Sequence, residues 1–326
     1  MAESVAAVME SVKGWLADLP QWAKIGLAGA AIVLPALSYF QKKARASPYK
    51  TDWEKDVVYM YQFPRPATVV NLSPFCVKLE TWLRMANINY QNVDIPLWVR
   101  SKEGMLPFVE LNGVEYADSG FIMRDLTKLL GKESLEAHLS PEQRGAARAF
   151  EQMAENTTTP SYAMIRYGEK INELFSEAVV GKRMLDSFPF LMRIMFSPLL
   201  MKRMVKKRLA AHGIGRHSEE DVVKIGLEDL DAISAYLGDK LYLTGTKPIR
   251  ADATLFGLLS QLLYIPVQTP HTDHIRKNLG NLVTYAERMK KTFWPDWEEA
   301  VRTGSLHTDW RGSKYRTGAG GAAEKA

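Results

Sequence analysis

Two short stretches place reactive residue types at the start of a helix. Ser73-Pro74-Phe75-Cys76 sets a hydroxyl three residues ahead of the chain's single thiol, and Asp118-Ser119 sets a carboxylate beside a hydroxyl. A helix N-terminus carries unpaired N–H groups and the positive end of the helix dipole. A hydroxyl or carboxylate there can accept from the backbone as a cap; alternatively the hydroxyl can join those N–H groups in holding an incoming anion, and the carboxylate can hold an amino group. Both uses stay open at Ser73 and at Asp118-Ser119. Cys76 lies one turn into its helix on the apolar stripe, which suits a small buried hydrophobe better than a reactive thiol. With serine at position 73, a dithiol redox cycle is excluded. A single cysteine also excludes an intramolecular disulfide and a Cys-based zinc site. His271-x-x-His274 with Asp273 has no further ligand close in sequence, and no metal site is predicted. Neither a phosphate-cradling glycine loop nor a Ser/His/Asp hydrolase signature is present.

The elements that must position these residues read as a compact α/β unit from about Val57 to Leu130. Val57–Phe63 is a β-branched and aromatic run that predicts a buried strand. Ser73 as N-cap with Pro74 at the first helical position opens a helix whose inner face is Cys76, Leu79, Leu83 and Ala86. Tyr90–Ile95 predicts a second strand. Phe108–Leu111 and Val114–Ala117 flank Asn112-Gly113, the signature of a type I′ hairpin. Asp118 or Ser119 then caps a helix running through Leu130. From about Ser140 onward the patterns are helical, so an α/β module followed by a helical domain is expected.

The chain has 326 residues, 46% hydrophobic and 24% charged, which excludes global disorder and a polytopic membrane protein. The net charge of +5 is uneven. Residues 182–208 carry eight Lys/Arg against Asp186 alone, residues 1–56 carry a net +1, and the remainder is −3. A basic segment on a near-neutral body argues against nucleic-acid binding and for a local basic surface. Lys202, Arg203, Lys206, Lys207 and Arg208 follow the apolar stretch Phe188 to Met201. Together they read as an amphipathic surface for anionic lipid or a protein partner, or as a solvated helix face.

Ile25 to Phe40 holds no charge over 16 residues, and Trp22, Tyr39 and Phe40 sit at its ends. A membrane anchor over 23–40 is expected, after an N-terminal tail (1–22) whose acidic residues do not suit a cleaved signal peptide. The alternative is an N-terminal helix packed on the body or lying in the membrane interface. Lys42, Lys43, Arg45 and Lys50 follow the span with no acid among them, which orients the bulk of the chain to the cytosol. Residues 41–56 read as a linker, and 304–326, ending in GAGGAAEKA, as a disordered tail.

The β-α-β-ββ-α order is that of a thioredoxin-like module, and the motifs agree with it. SPFC at 73–76 resembles the active-site turn of glutaredoxins and omega-type glutathione transferases with the first cysteine replaced. MLPF at 105–108 resembles the cis-proline loop. Asp118-Ser119 stands where those proteins hold a γ-glutamyl group, and Ala251-Asp252-x-x-Leu255-Phe256 resembles the core helix of the transferase C-terminal domain. YQFPRP at 61–66, NLSPFCVKLETWLRMANINY at 71–90, LPFVELNG at 106–113, GIGRHS at 213–218 and KPIRADATLFG at 247–257 are similar to the failed axon connections family, a metaxin-like branch of the glutathione S-transferase superfamily. The resemblance covers about residues 57–300.

The resemblance implies an α+β, glutathione S-transferase-like fold. A thioredoxin-like N-terminal domain (57–135) would precede an all-helical C-terminal domain (140–303), with the membrane-anchor helix ahead of both. It implies a glutathione site formed by Ser73, Leu106, Pro107, Asp118 and Ser119, with Ser73 as the catalytic, thiol-facing residue and a cis Leu106–Pro107 bond. The superfamily usually has glutamate before the serine, and aspartate here is shorter. Asp252 is expected to fold the C-terminal domain rather than react; Ile249 replaces the Ser or Thr of the usual capping box. Three functions follow. One is a membrane-tethered, cytosol-facing interaction or adaptor protein with weak or vestigial glutathione binding and a role in axon development or at an organelle. Another is an active transferase conjugating glutathione to apolar electrophiles. The third is a metaxin-like import or tethering subunit. The endoplasmic reticulum and the mitochondrial outer membrane both suit the anchor, and dimerisation is left open.

Overall fold

The computed structural model describes residues 18–21, 24, 49–96, 99–187, 198–308 and 310–311. The chain forms two compact units, Met1–Tyr49 and Lys50–Ala326. The expected anchor (23–40) lies outside the described residues except for Lys24. Among the described residues no helix is long and apolar enough to cross a membrane. The apolar stretch 188–197 is likewise outside them.

In the second unit, β1 (Val58–Tyr61), α1 (Pro74–Met85), β2 (Tyr90–Val93), β3 (Phe108–Leu111), β4 (Val114–Ala117) and α2 (Ser119–Leu129) follow in the expected order. The sheet order is β2-β1-β3-β4. β2 is parallel to β1, and the other pairs are antiparallel. This is the thioredoxin-like arrangement. Side chains alternate across it. Val58, Met60, Val109 and Leu111 pack against Leu79, Trp82 and Leu83 of α1 and Ile122, Met123 and Leu126 of α2. On the other face the Tyr61 and Phe108 rings stack in parallel, 4.4 Å apart. Positive φ at Asn112 (51°) and Gly113 (77°) gives the hairpin turn its expected hand. Both early strands end sooner than predicted. Gln62 turns inward to bond Glu80 and Asn92, and Pro64 and Pro96 end any further ladder pairing.

The helical part comprises α3 (Pro141–Met153), a π-turn at Ala154–Thr158, α4 (Thr159–Tyr167), short turns over 171–187, α5 (Pro198–His212), α6 (Glu219–Leu237), α7 (Arg250–Leu263), α8 (Pro270–Asn278), α9 (Gly280–Phe293) and α10 (Trp297–Thr303). Buried on every side from Ala251 to Leu263, α7 is the core helix. It crosses α1 so closely that a Cβ on Gly257 would stand 2.5 Å from the Pro74 carbonyl oxygen. The start of α1, where Ser73 lies, therefore rests directly on the helical domain. Asp252, in the first turn of α7, accepts from Leu243 N and Ile249 N (both 2.8 Å) and from the Tyr285 hydroxyl (2.8 Å). This is the folding role expected of it, with half a capping box, since Ile249 has no side-chain acceptor.

The tail expected to be disordered from Gly304 is bound as far as Arg311. Arg65 Nε donates to Ser305 O (2.8 Å), Asn92 Nδ2 donates to Leu306 O (2.9 Å), and Trp310 stacks on Tyr90. Composition suggests a loose tail, but this stretch supplies acceptors to buried donors on the β2 side of the sheet. Residues 50–56 also bond to the sheet: Lys50 N to Glu110 Oε2 (3.0 Å) and Asp56 N to Asn112 Oδ1 (2.8 Å). The GIGRHS segment turns the chain from α5 into α6, with Ser218 capping α6 through Asp221 N (3.1 Å).

Candidate functional site

Register places the predicted site residues at one end of the sheet. Tyr61, Phe108 and Ala117 lie side by side on β1, β3 and β4. Pro107 precedes the second of these and Asp118 follows the third. The loop leaving β1 is bridged back by Asn71, whose Nδ2 donates to Gln62 Oε1 (3.0 Å) and Phe63 O (2.8 Å) while its Oδ1 accepts from Ser73 N (2.9 Å). That brace draws Ser73 to the same end. The Leu106–Pro107 bond is cis.

Ser73 and Asp118 are each engaged by their own chain. Ser73, half-buried in extended conformation, caps α1 by accepting from Cys76 N at 3.4 Å. Cys76 is fully buried, and burial pushes its pKa up to about 12 despite the Ser73 hydroxyl and the Phe63 backbone. The thiol is therefore neutral and shielded, not a nucleophile. Asp118 takes φ +65°, and its Oδ1 accepts from Gly120 N (2.9 Å) and Phe121 N (3.1 Å), capping α2. Ser119 is buried as the first residue of that helix.

Beside this end lies an ion cluster that composition and periodicity did not reveal. Lys78, buried on α1, meets Glu155 in the π-turn at 2.5 Å and Glu151 of α3 at 3.5 Å. Burial raises the Glu155 pKa against the pull of Lys78, and the negative charges of Glu151 and Asp118 raise it further. Asp118 and Glu155 thus share one electrostatic neighbourhood across the two domains.

A second buried network lies deeper. Glu80 accepts from Arg65 Nη2 (2.8 Å), Gln62 Nε2 (2.9 Å), the Tyr90 hydroxyl (3.0 Å), Asn92 Nδ2 (3.2 Å) and Arg84 Nη2 (3.3 Å). Burial would raise its pKa, but the two guanidiniums hold it down at about 2. Arg84 also pairs with Asp296 and lies over the Trp294 ring at 3.6 Å. Gln62, Arg65, Lys78, Glu80, Arg84 and Tyr90 all come from the sequence blocks that carry the family resemblance. Much of what those blocks specify is the join between the two domains. The available signal was charge at helix positions 78, 80 and 84, which no single apolar stripe could leave all in solvent.

The histidine pair divides. His271 Nε2 lies 2.8 Å from Ser161 Oγ in the interior, and His274 Nε2 lies 2.6 Å from Asp231 Oδ1. Among the described residues no group of three or more His, Cys, Asp or Glu is placed to hold a metal ion.

The family described as Glutathione S-transferase N-terminal domain matches residues 74–173, and Glutathione S-transferase, C-terminal domain, matches 226–289. The protein named Failed axon connections from Drosophila melanogaster is 37% identical over 259 residues, covering 77% of this chain; the chain spans 61% of that protein's length. An isoprene-epoxide–glutathione S-transferase of Rhodococcus is 25% identical, over 73% of this chain and 99% of its own. Metaxin-2 of Mus musculus is 22% identical, over 75% of this chain and 91% of its own. A glutathione S-transferase of Ceriporiopsis subvermispora, solved in complex with glutathione, shares the fold at 18% identity and a TM-score of 0.50, covering 72% of this chain and 97% of that one. The chain belongs to the failed axon connections family, in the metaxin-like branch of the glutathione S-transferase superfamily.

Proposed function

We propose that this protein is an interaction or adaptor protein built on a transferase-like body, with weak or vestigial glutathione binding. The anchor at 23–40 would tether it to the endoplasmic reticulum or the mitochondrial outer membrane with the body in the cytosol. The observation that carries the reading is the helix cap formed by Asp118. The carboxylate that would receive the amino group of a γ-glutamyl unit already accepts from Gly120 N and Phe121 N. Ser73 caps its own helix in the same way, accepting from Cys76 N. Leu106, Pro107 and Ser119 complete the set of residues proposed to touch glutathione.

Calorimetric titration of the full chain with glutathione, repeated on Ser73→Ala and Asp118→Ala, tests the reading. Millimolar or absent binding in all three is expected. Micromolar binding with turnover of a generic electrophile, lost in Ser73→Ala, would overturn it. The tether is tested by alkaline carbonate extraction of the full chain, which should remain with the membrane.

A second reading is an active transferase acting on apolar electrophiles. It is favoured by the Rhodococcus relative, named for glutathione transfer to an epoxide and matched over 99% of its length. A third, a tethering or import subunit, is favoured by the match to Metaxin-2.

A further inference from the structure

We infer that the outer face of α5 seats the folded body on an anionic lipid surface. At 3.6 residues per turn, positions 200, 204, 207 and 211 form one stripe. Leu200 and Met204, which are 40% and 60% exposed, lie on that stripe with exposed Ala211. Lys207 interrupts it, Arg203 flanks it on one side and Arg208 on the other, and Lys206 and Lys202 extend the basic side. All five cations are exposed. The opposite side is occupied, since Leu209 and Val205 pack with Ile214 and Val222.

Among the described residues the cations are largely uncompensated. Glu219 on α6 lies close enough to feel the charge of Lys202. Arg208 reaches the Met105 sulfur at 3.3 Å. Among the described residues, no ion pair engages Arg203, Lys206 or Lys207 within 4 Å.

Charge and composition both select lipid over a protein partner. Three of the five cations are lysines, which protein interfaces disfavour. Long cationic stems beside exposed Leu and Met let the apolar stripe dip below the headgroups while the charges meet phosphates. Anionic headgroups supply the missing counter-charge. The inference rests on the membrane proximity that the proposed tether supplies, and its test reads α5 independently of that tether.

Cys76 is the only cysteine and is fully buried, so a cysteine introduced at an exposed position can be labelled selectively. Full chain carrying Met204→Cys is labelled with a polarity-sensitive fluorophore and mixed with phosphatidylcholine vesicles, with or without phosphatidylserine. The expected result is a blue shift with phosphatidylserine vesicles alone, reversed by high salt. Lys206→Glu with Lys207→Glu, both at exposed positions, should lower this association at least about tenfold. The same probe at Lys224→Cys on α6 should stay unshifted. An equal shift on neutral vesicles, a shift indifferent to the two reversals, an equal shift at position 224, or a shift that needs an added protein would each overturn the inference. Failure of the tether alone reads differently: carbonate would release the chain while the phosphatidylserine-dependent shift persisted.

Discussion

Arg84 and Asp296, 212 residues apart in sequence, form a two-pronged ion pair in the interior: Nη1 to Oδ1 at 2.5 Å and Nη2 to Oδ2 at 3.0 Å. Both side chains are essentially inaccessible. The pair joins α1 of the thioredoxin-like module to the segment after α9, and Trp294 Nε1 donates to Thr81 Oγ1 (2.9 Å) beside it. Removing one partner leaves a buried charge without its main counter-ion, a change that costs about 3–5 kcal/mol. Asp296→Ala should therefore lower stability by that order in urea unfolding. The double variant Arg84→Met/Asp296→Leu should recover part of the loss, because an apolar pair leaves no orphaned charge. A loss below about 1 kcal/mol in Asp296→Ala would show that the pair does not hold the domains together.

Local rules make part of this structure legible in the sequence. The Ser73 and Asp118 caps and the Asn112-Gly113 turn each depend on residues within three positions, and all three form. The buried charges depend on partners far along the chain. Glu80, Arg84 and Lys78 sit on a helix that faces the sheet on one side and α7 on another, so positions that would face water on a lone amphipathic helix are enclosed here. Lys78 finds its acids 73 and 77 residues away. The segment after Gly304 is hard to read for the same reason. Its own residues signal a tail, while the donors that fix it lie at Arg65 and Asn92.

The state of Cys76 gives a kinetic prediction. A thiol that is inaccessible and whose pKa is pushed up to about 12 offers almost no thiolate at neutral pH. A thiol reagent should modify the native chain only as fast as α1 opens, and should modify the urea-unfolded chain at the rate of a free thiol. Ready modification of the native chain at neutral pH would show the cysteine to be accessible and its thiolate to be populated.

Acid should destabilise the fold in two windows. His271 is buried, its Nε2 donates to Ser161 Oγ because that hydroxyl donates to Val222 O (2.6 Å), and its Nδ1 has no partner. Burial, aided by nearby His274, lowers its pKa from 6.5 to about 4. The folded state thus resists protonation, and stability present above pH 6.5 is lost as pH falls toward 4. Glu80 falls from 4.5 to about 2, so its contribution is present above pH 4.5 and is lost toward pH 2. Each is worth on the order of a few kcal/mol. Asp252 has the opposite sign. Burial raises it from 3.8 to about 6, and stability falls as pH rises between those values. Urea midpoints across pH 2–7 should show His271→Gln flattening the upper window and Asp252→Asn steepening it. Identical pH profiles for wild type and His271→Gln would remove histidine from the account.

Gly257 links the fold to the candidate site most directly. A Cβ there would stand 2.5 Å from the Pro74 carbonyl oxygen and 3.2 Å from Lys78 N and Cβ, and the first of these is backbone that cannot swing aside. Gly257→Ala removes conformational freedom from the unfolded chain and improves helix propensity, which together would stabilise by about 1 kcal/mol at an unhindered site. Here the added methyl must push the start of α1 away from α7, and overpacking of this kind costs about 1–3 kcal/mol. The clash should win, giving a net loss in urea unfolding. Displacing α1 should also loosen the cap at Ser73 and unseat Lys78 from Glu155, so Cys76 should react faster with thiol reagents in the native variant than in wild type. If alanine at position 257 instead stabilised the chain and left Cys76 protected, α1 and α7 would not be in contact at this point.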